Sequence, residues 1–342
     1  MNRKGLAVIG LGMALKPHAK ALTELQDVYR VIAAYSRSAE RRDAAATQYG
    51  FPTTGDLDAL VADPTVDAAL ILTPPDSHKE LATRFIDAGK HVLLEKPIDV
   101  TSDRGAEIVA LAEQKDRRLG VVLQHRFRNS SFALADLLLS GRLGRLCAAN
   151  CTVPWWRPQT YYDEPGRGTL ARDGGGVLMT QAIHTLDLFR SLVGGVERVS
   201  ALTATTAIHR MECEDYVSAV VILEGGAVGN IMATTAAMPG RSDAIDLICE
   251  NGVTRLDGGE LTVHWLTGEV THFAAETGLG GGADPMDFPA DSHRELLRDF
   301  ARCIDENREP TVSGREALRT QYLIDAIIRS AQTSSWENVH RA

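Results

Sequence analysis

The sequence predicts an α/β domain built on a parallel sheet, followed by an α+β domain with an open, mainly antiparallel sheet. Short apolar runs alternate with helical stretches over about the first third of the chain, which is typical of a parallel sheet covered on both faces. After residue 125, strand-like runs follow one another with glycine-containing turns between them, as hairpins require. A chain of 342 residues accommodates two domains, which we place at 1–124 and 125–342.

The elements of the first domain are predicted from apolar runs and from helical spacing. Strands are expected at 5–10, 29–36, 66–75, 91–97 and 118–127. Helices are expected from Leu15 onward and at 38–50, 77–90 and 102–116. Gly50 is the expected stop of one helix, and Ser102 is the expected N-cap of another.

The second domain begins with a predicted helix at 129–141 and a predicted strand at 146–156. A loop rich in Arg, Tyr and Pro leads to the triple glycine at 174–176, and an apolar helix then runs to Gly194. Further strands are expected at 198–206, 215–223, 227–236, 243–250, 260–266 and 269–274. After a flexible loop at 277–291, helices are expected at about 291–306 and 314–334, the last of them able to pack back on the first domain.

Composition limits the classes of partner. The net charge is −9 and the pI about 5.6, and the absence of a basic block argues against nucleic acid and anionic membranes as partners. The five cysteines are odd in number and form no C-x-x-C pair, which is typical of a reduced protein, so we expect a cytoplasmic location. No apolar run reaches the roughly 20 residues of a membrane span.

The stretch VIGLGMAL (8–15) follows the first predicted strand and opens the first helix. Gly10 allows a tight turn, and Gly12 allows the backbone to approach a pyrophosphate, which the helix N-terminus attracts. Leu15 replaces the third glycine of the usual G-x-G-x-x-G pattern. A plain strand–helix turn and a methyltransferase site for S-adenosylmethionine are the alternatives. We expect Rossmann-type dinucleotide binding at Gly10, Leu11, Gly12, Met13 and Ala14.

The second strand ends in Tyr35-Ser36-Arg37, with no Asp or Glu to hold the ribose hydroxyls of NAD. The hydroxyl of Ser36 and the guanidinium of Arg37 suit a 2′-phosphate, through charge-assisted hydrogen bonds. We therefore favour NADP over NAD as the cofactor. The alternative is that Arg37 is a solvated residue at the start of the next helix.

Two further stretches carry chemistry. Glu95-Lys96-Pro97 lies at the carboxyl end of a predicted parallel strand, where open α/β sheets bind ligands. On a predicted buried helix, four polar residues are spaced to lie in one line, Thr180, His184, Asp187 and Ser191. Such a line faces a polar partner or a cavity, and a core histidine bonded to Asp187 is the simpler alternative. No recognisable ligand spacing predicts a metal site, so we expect none.

These two stretches together predict hydride transfer. Moving a hydride between an alcohol and a nicotinamide requires a proton to leave the hydroxyl, and histidine accepts a proton near neutral pH. A lysine beside the same oxygen stabilises its negative charge. We therefore expect Lys96 and His184 to be the catalytic residues.

The chain resembles the Gfo/Idh/MocA family (glucose–fructose oxidoreductase, inositol 2-dehydrogenase, rhizopine catabolism) over nearly its whole length. The segments that carry the resemblance are VIGLGMALKPHAKAL (8–22), LTPPDSHKELA (72–82), LLEKPID (93–99), GRLGRL (141–146) and GGGVLMTQAIHTLDL (174–188). The resemblance implies a Rossmann domain and an antiparallel domain that also forms homodimers or homotetramers. It also implies NAD(P)-dependent chemistry at a carbinol of a sugar, cyclitol or related compound.

The resemblance also implies residue roles. Lys96 matches the family's lysine, and His184 matches its histidine acid/base. Thr180 stands where the family usually has Asp, sometimes Asn, which puts any shared acid/base role there in doubt and argues for a different pattern of substrate hydroxyls. The remaining cofactor-side positions are expected to be Thr73, Pro74, His78, Glu95, Lys96 and Gln124.

Substrate contacts are expected from the stretch 154–176, whose Trp, Arg and Tyr suit a polyol. An ordered surface loop or a subunit contact is the alternative for this stretch. The expected substrate-binding residues are Lys96, Arg126, Trp155, Arg157, Tyr162, Arg172, Thr180 and His184.

These expectations describe an NAD(P)-dependent dehydrogenase or reductase of CH–OH groups, with a small sugar or polyol as substrate. Two alternatives stay open. One is a non-catalytic NAD(P)-binding sensor of the same fold, and the other is a dehydrogenase that acts on cyclic dihydrodiols.

Overall fold

The computed structural model describes residues 3–274 and 290–341. The chain divides into two compact units, Met1–Leu123 with Ala290–Leu318 and Gln124–Pro289 with Arg319–Ala342. The prediction assigned 290–318 to the second domain, whereas this segment belongs to the first unit. The flexible loop predicted at 277–291 lies outside the described residues, except for its last two.

Strands and helices alternate through the first unit, and strands dominate the second. In chain order the described strands are β1 (Lys4–Ile9), β2 (Tyr29–Tyr35), β3 (Thr53–Thr54), β4 (Ala68–Ile71), β5 (His91–Leu94), β6 (Leu119–Val121), β7 (Leu146–Pro154), β8 (Val196–Ala204), β9 (Tyr216–Leu223), β10 (Val228–Thr234), β11 (Ala244–Cys249), β12 (Gly252–Asp257), β13 (Glu260–Trp265), β14 (Val270–Phe273) and β15 (Glu337–Asn338). The helices are α1 (Leu15–Glu24), α2 (Ala39–Tyr49), α3 (Leu57–Ala62), α4 (His78–Asp87), α5 (Ser102–Gln114), α6 (Asn129–Leu139), α7 (Gln159–Tyr162), α8 (Leu170–Asp173), α9 (Ile183–Val193), α10 (Asp291–Glu306) and α11 (Gly314–Thr333).

The first unit contains a six-stranded parallel sheet in the order β3-β2-β1-β4-β5-β6. The central strands β1, β4 and β5 are almost entirely buried, as expected for a parallel sheet covered on both faces. The register pairs Ile9 with Tyr35 and with Ile71, and Ile71 with Leu94. The carboxyl ends of these strands therefore reach the same edge of the sheet.

The second unit contains a nine-stranded sheet in the order β14-β13-β12-β11-β7-β10-β9-β8-β15. All neighbouring pairs are antiparallel except β7 with β10, which run parallel. The prediction of an open, mainly antiparallel sheet is confirmed. The prediction missed β12, because its sequence GVTRLD begins at the turn glycine and carries only two apolar side chains, Val253 and Leu256.

Several boundaries differ from the sequence prediction. The N-cap of α5 is Thr101 and not Ser102, since the Thr101 side chain accepts a hydrogen bond from the Arg104 N–H. The strand predicted at 118–127 ends at Val121, and Gln124–Phe127 form a 3₁₀ turn. Gly50 does end α2, with a left-handed backbone (φ +69°) that glycine adopts without strain.

The apolar helix after the triple glycine begins with a π-helical turn at Leu178–Ala182 and continues as α9. A π turn contains more residues per turn than an α-helix, so Thr180 and His184 do not lie in one straight line as predicted. Gly194, with φ +81°, ends α9 where the prediction placed the stop. Within the described ranges, no helix is long and apolar enough to cross a membrane.

Candidate functional site

The glycine loop after β1 has the geometry that a pyrophosphate needs. Gly10 has φ +100°, and a Cβ there would lie 2.9 Å from the Leu72 carbonyl carbon, so both conformation and space require glycine. A Cβ at Gly12 would meet nothing within 4 Å, which leaves space for a ligand against the backbone. The first turn of α1 contains no acidic residue, and its N-cap, Ala14, makes no side-chain cap. These residues fit a dinucleotide phosphate.

Two other predicted cofactor positions lie beside this loop. Met13 is 58% exposed, whereas Leu11 is buried, so a cofactor would find only the backbone of Leu11. Leu15, which replaces the third glycine of the motif, is buried at the start of α1. A leucine side chain therefore occupies the helix–sheet contact where the usual motif keeps glycine.

The end of β2 carries cations and no carboxylate. Ser36 is buried, and its Oγ accepts from the Ser38 N–H at 3.2 Å. Arg42, which the sequence analysis did not single out, donates from Nη1 to the Ser36 carbonyl at 2.6 Å. Arg37 is exposed and makes no side-chain hydrogen bond within 3–274 and 290–341. Its guanidinium is thus available to a ligand at this edge.

His78 ties together the loops after β4 and β5. Its Nε2 lies 2.9 Å from the Thr73 carbonyl, and its Nδ1 lies 3.0 Å from the Pro97 carbonyl. Each ring nitrogen thus faces a carbonyl oxygen of a different loop. The side chain is fully buried, which corrects the expected direct contact of His78 with the cofactor: it holds the two loops in place.

Three titratable residues from distant parts of the first unit meet next to Lys96. Glu95 Oε1 lies 2.8 Å from His18 Nε2, and the rings of His18 and His293 meet edge to face at 4.8 Å between centroids. Burial opposes ionisation of Glu95, but the hydrogen bond and charge of His18, with Lys96 and His293, outweigh it and lower its pKa to about 2. Glu95 is therefore an anion, and its Oε2 accepts from the Lys96 backbone N–H at 3.0 Å.

The ligand atoms of His18, Glu95 and His293 all lie within 4.8 Å of one another. That spacing is close enough for one divalent cation, so the expected absence of a metal stays a prediction. Lys96 itself is half-buried, and the peptide bond between Lys96 and Pro97 is cis.

In the second unit, Asp187 is fully buried one turn after His184. Its two oxygens accept from Nε and Nη2 of Arg126, both at 2.6 Å, and from the Thr320 hydroxyl at 2.8 Å. A buried carboxylate needs such a bidentate partner to offset its lost hydration. The fork of Arg126 is therefore directed at Asp187, and its expected contact with substrate stays a prediction.

A second histidine accompanies His184. The His125 ring lies 5.1 Å from the His184 ring, tilted by 32°. Arg128 Nη2 donates to His125 Nε2 at 2.7 Å, so the neutral His125 ring carries its proton on Nδ1. Asp243 lies 3.8 Å from that Nδ1 and accepts from the Thr185 hydroxyl at 2.9 Å. His184 is half-buried beside this group.

The π turn before α9 is held by Glu214, another residue that the sequence analysis did not single out. Its carboxylate accepts from the N–H groups of Gly176 and Leu178, each at 3.1 Å. A Cβ at Gly176 would lie 1.9 Å from the Glu214 carbonyl oxygen, so only glycine fits. Burial raises the pKa of Glu214, although the backbone N–H groups oppose the rise.

The predicted substrate loop is packed on itself through aromatic and charged side chains. Tyr162 is buried, and its hydroxyl is bonded to Thr235 at 2.7 Å, which corrects its expected contact with substrate. Arg172 donates to Glu164 at 2.9 Å. Trp155 and Arg157 are half-buried and lie against each other, so part of each side chain stays accessible to a ligand.

Long-range pairing explains which residues sequence reasoning missed. His18 and His293 are 275 positions apart, by their residue numbers, and Arg126 and Asp187 are 61 apart. His18 does lie within the stretch 8–22 that carries the family resemblance, which is the one signal that could have pointed to it. Gln124, predicted on the cofactor side, is half-buried, and its Oε1 is buried without a hydrogen-bond partner in the described structure.

Two family models match the chain. The family model for the oxidoreductase family with an NAD-binding Rossmann fold (GFO_IDH_MocA) matches residues 4–123. The model for the GFO/IDH/MocA C-terminal domain matches residues 133–255. Together the two models account for most of the chain.

Individual relatives are similar over nearly the full chain. Inositol 2-dehydrogenase from Rhizobium meliloti is 27% identical, with 94% of this chain and 95% of the relative covered. The 1,5-anhydro-D-fructose reductase from Ensifer adhaerens is 28% identical, with 89% of each covered. The crystal structure of the WlbA dehydrogenase from Bordetella pertussis, in complex with NADH and UDP-GlcNAcA, is 29% identical, with a TM-score of 0.85 and both chains fully covered.

The cluster around Glu95 predicts that acid destabilises the first unit. Burial and the neighbouring His18 lower the pKa of His293 from 6.5 to about 3. Between these values the unfolded chain binds a proton that the folded chain does not, so stability falls as the pH falls through this window. Below pH 4.5, protonation of Glu95, whose folded pKa is about 2, adds to the loss. Each of these protons lowers the free energy of unfolding by at most about 1.4 kcal/mol per pH unit.

The check is urea unfolding at pH 7, 6 and 5 in the presence of EDTA. His293→Gln removes one titrating group, so its free energy of unfolding should depend less steeply on pH than that of the wild type. His264→Gln, at an exposed position, serves as the matched control and should keep the wild-type slope. Equal slopes for the wild type and both variants would show that His293 takes up its proton in the folded protein.

Proposed function

Since the chain belongs to the Gfo/Idh/MocA oxidoreductase family, we propose that it transfers a hydride between a nicotinamide cofactor and a carbinol or carbonyl of a sugar, cyclitol or related polyol. The proposal rests on one observation: two half-buried residues that can carry a proton each lie next to a buried charged residue. Lys96 follows the anionic Glu95, and His184 precedes the buried Asp187 by one turn. Inositol 2-dehydrogenase and 1,5-anhydro-D-fructose reductase, among the relatives, are named for this class of chemistry.

The glycine loop and the first turn of α1 would hold the cofactor's phosphates, and the edge residues Ser36, Arg37 and Thr73 would hold the rest of the dinucleotide. When bound, the nicotinamide accepts or supplies the hydride. Glu95 would orient the nicotinamide side through its fixed carboxylate. Gln124 offers a buried amide oxygen that accepts a donor.

Lys96 and His184 would divide the work at the substrate oxygen. In the oxidation, the C–H bonding pair leaves as hydride while the O–H proton moves to His184, and the carbonyl forms. The Nδ1 of His184 is buried, so we assign proton transfer to Nε2. The Lys96 ammonium stabilises negative charge on that oxygen as it develops. Reduction runs through the same groups in reverse.

Removing either group should abolish most turnover while the folded protein still binds cofactor. We expect Lys96→Ala and His184→Ala each to lower kcat by roughly 10²- to 10⁴-fold, the contribution typical of positioned acid–base and electrostatic groups. The measurement is NAD(P)H absorbance with myo-inositol, 1,5-anhydro-D-fructose, UDP-GlcNAcA and a cyclic dihydrodiol. Cofactor Kd comes from tryptophan or NADH fluorescence.

Lys115→Ala is the matched control, because Lys115 is an exposed lysine paired with Asp87 at 2.9 Å, and neither residue is an expected site residue. It should keep wild-type kcat. Full activity in Lys96→Ala or His184→Ala would remove that residue from the mechanism. Cofactor binding without hydride transfer to any member of the panel would instead favour the sensor.

We further propose that NADP is preferred over NAD. Support comes from the end of β2, where Ser36 and the exposed Arg37 are present and no carboxylate occupies the position that would hold ribose hydroxyls. A guanidinium binds a phosphate through charge-assisted hydrogen bonds, and an acidic residue there would repel it. The solved WlbA structure contains NADH, so the preference is a property to be measured in this chain.

Arg37→Ala should weaken NADP binding by roughly 10- to 100-fold, as expected for a lost hydrogen bond to a charged group. NAD binding should stay within about threefold, because NAD has no 2′-phosphate. Arg41→Ala, an exposed arginine of α2, is the control and should leave both constants unchanged. Calorimetric titration measures the Kd of each cofactor. If the wild type binds NAD more tightly than NADP, the proposed preference is wrong.

The assembly is also a proposal. Exposed apolar side chains occur on three adjacent strands of the second sheet, Leu202 on β8, Val220 on β9 and Val228 on β10. Burying such a surface stabilises association. We propose a homodimer or homotetramer, and light scattering coupled to size exclusion gives the mass that tests it; a monomer at micromolar concentration would contradict it.

A further inference from the structure

Arg157 is held in the predicted substrate loop by contacts on both sides of its backbone. Its N–H donates to the Thr235 carbonyl at 2.9 Å, and its own carbonyl lies 2.8 Å from Nε2 of His209. The other nitrogen of His209 is bonded to Asp215 at 2.7 Å, and both side chains are fully buried. The backbone of Arg157 is therefore anchored to a buried, hydrogen-bonded His209–Asp215 pair.

Aromatic rings and a carbonyl fix the side chain of Arg157. Its guanidinium lies 5.4 Å from the Trp155 ring centroid and 5.7 Å from that of Tyr161, within the range of cation–π attraction. Nη1 donates to the Trp156 carbonyl at 2.9 Å. Nε is buried without a partner among the described residues. The guanidinium is thus oriented, and several of its donors stay unused.

The acidic residues near Arg157 already have partners of their own. Glu164 pairs with Arg167 and with Arg172. Asp163 accepts from the Gln159 amide at 2.9 Å. Arg157 makes no salt bridge to any carboxylate in 3–274 or 290–341. A half-buried guanidinium without a counter-ion is a costly arrangement unless a ligand supplies the negative charge.

A short chain of neutral side chains connects Arg157 with the helix that carries His184. The Tyr161 hydroxyl, under the Arg157 guanidinium, accepts from the Gln181 amide at 3.3 Å. Gln181 is bonded in turn to Thr180, four residues before His184. None of the three linking residues carries a negative charge that would repel an anion.

From these observations we propose that Arg157 binds an oxyanion of the substrate, so that the substrate is a sugar or polyol that carries a carboxylate or a phosphate. The planar guanidinium fork matches either group through two parallel hydrogen bonds. The flanking rings of Trp155 and Tyr161 offer apolar faces to the sugar. This inference rests on the proposed dehydrogenase function and names its substrate class.

The test measures binding to the NADH complex of the full-length protein by calorimetry, with glucuronate, gluconate, glucose 6-phosphate and glucose as probes. At least one acidic probe should bind roughly 10-fold or more tightly than glucose, and the acid that binds identifies carboxylate or phosphate as the group. Arg157→Gln should weaken that acid by roughly 10- to 100-fold, the loss expected for hydrogen bonds to a charged group. Glucose binding should not change.

Arg157→Lys keeps the charge but loses the fork, so it should recover only part of the affinity. Arg210→Gln, at an exposed arginine of the same unit, is the control and should match the wild type. Circular dichroism shows whether each variant is folded. If Arg157→Gln is mis-folded, the test is the order of probe affinities for the wild type and how these affinities change with salt. Binding of an acid through Arg157 should weaken as the ionic strength rises.

Three binding results would overturn the inference. They are equal binding of glucose and every acid by the wild type, failure of every acidic probe to bind the NADH complex, and equal weakening of acidic and neutral probes by Arg157→Gln. Turnover of neutral polyols alone would leave the dehydrogenase function standing and remove the anion site. Absence of NADH binding would instead reject the dehydrogenase function itself.

Discussion

The register of the parallel sheet brings the expected cofactor-side loops of the first unit to one edge. Backbone hydrogen bonds continue one residue beyond each strand, from Gly10 N–H to the Tyr35 carbonyl at 3.0 Å and from Glu95 N–H to the Ile71 carbonyl at 2.8 Å. The glycine loop, the end of β2 and the Glu95 turn are therefore held at one edge by the ladder itself. A slip of one residue would move each side chain to the opposite face of the sheet and separate these loops.

In the second unit, a buried ion pair fixes the helix that carries His184. In the described structure the Asp187 carboxylate accepts two hydrogen bonds from Arg126 and one from Thr320, and Arg190 lies 3.8 Å away. Replacing such a pair by apolar residues is often neutral, but removing one partner strands a buried charge at a cost of about 3–5 kcal/mol. The pair thus gives α9 a defined rotation, and that rotation sets where His184 points.

Local patterns allowed the sequence to predict most of the architecture. The alternation of apolar runs and helices, the glycine loop and the Glu95-Lys96-Pro97 turn all depend on neighbours within about ten positions, and these predictions agree with the structure. What sequence could not show are contacts that only the fold creates. Tyr162 looked like a substrate contact, but β10 brings Thr235 to its hydroxyl, and His78 looked like a cofactor contact, but two carbonyls occupy its ring.

The π turn before α9 explains why this chain works with threonine at position 180. The Thr180 hydroxyl lies 2.7 Å from the Gly176 carbonyl oxygen and also contacts the Gln181 amide oxygen. Both neighbours are acceptors, so a hydroxyl donor fits there, whereas an aspartate would place a carboxylate, itself only an acceptor, against them. The helix start is therefore built for a neutral donor. It follows that position 180, four residues before His184, contributes no carboxylate to the start of this helix.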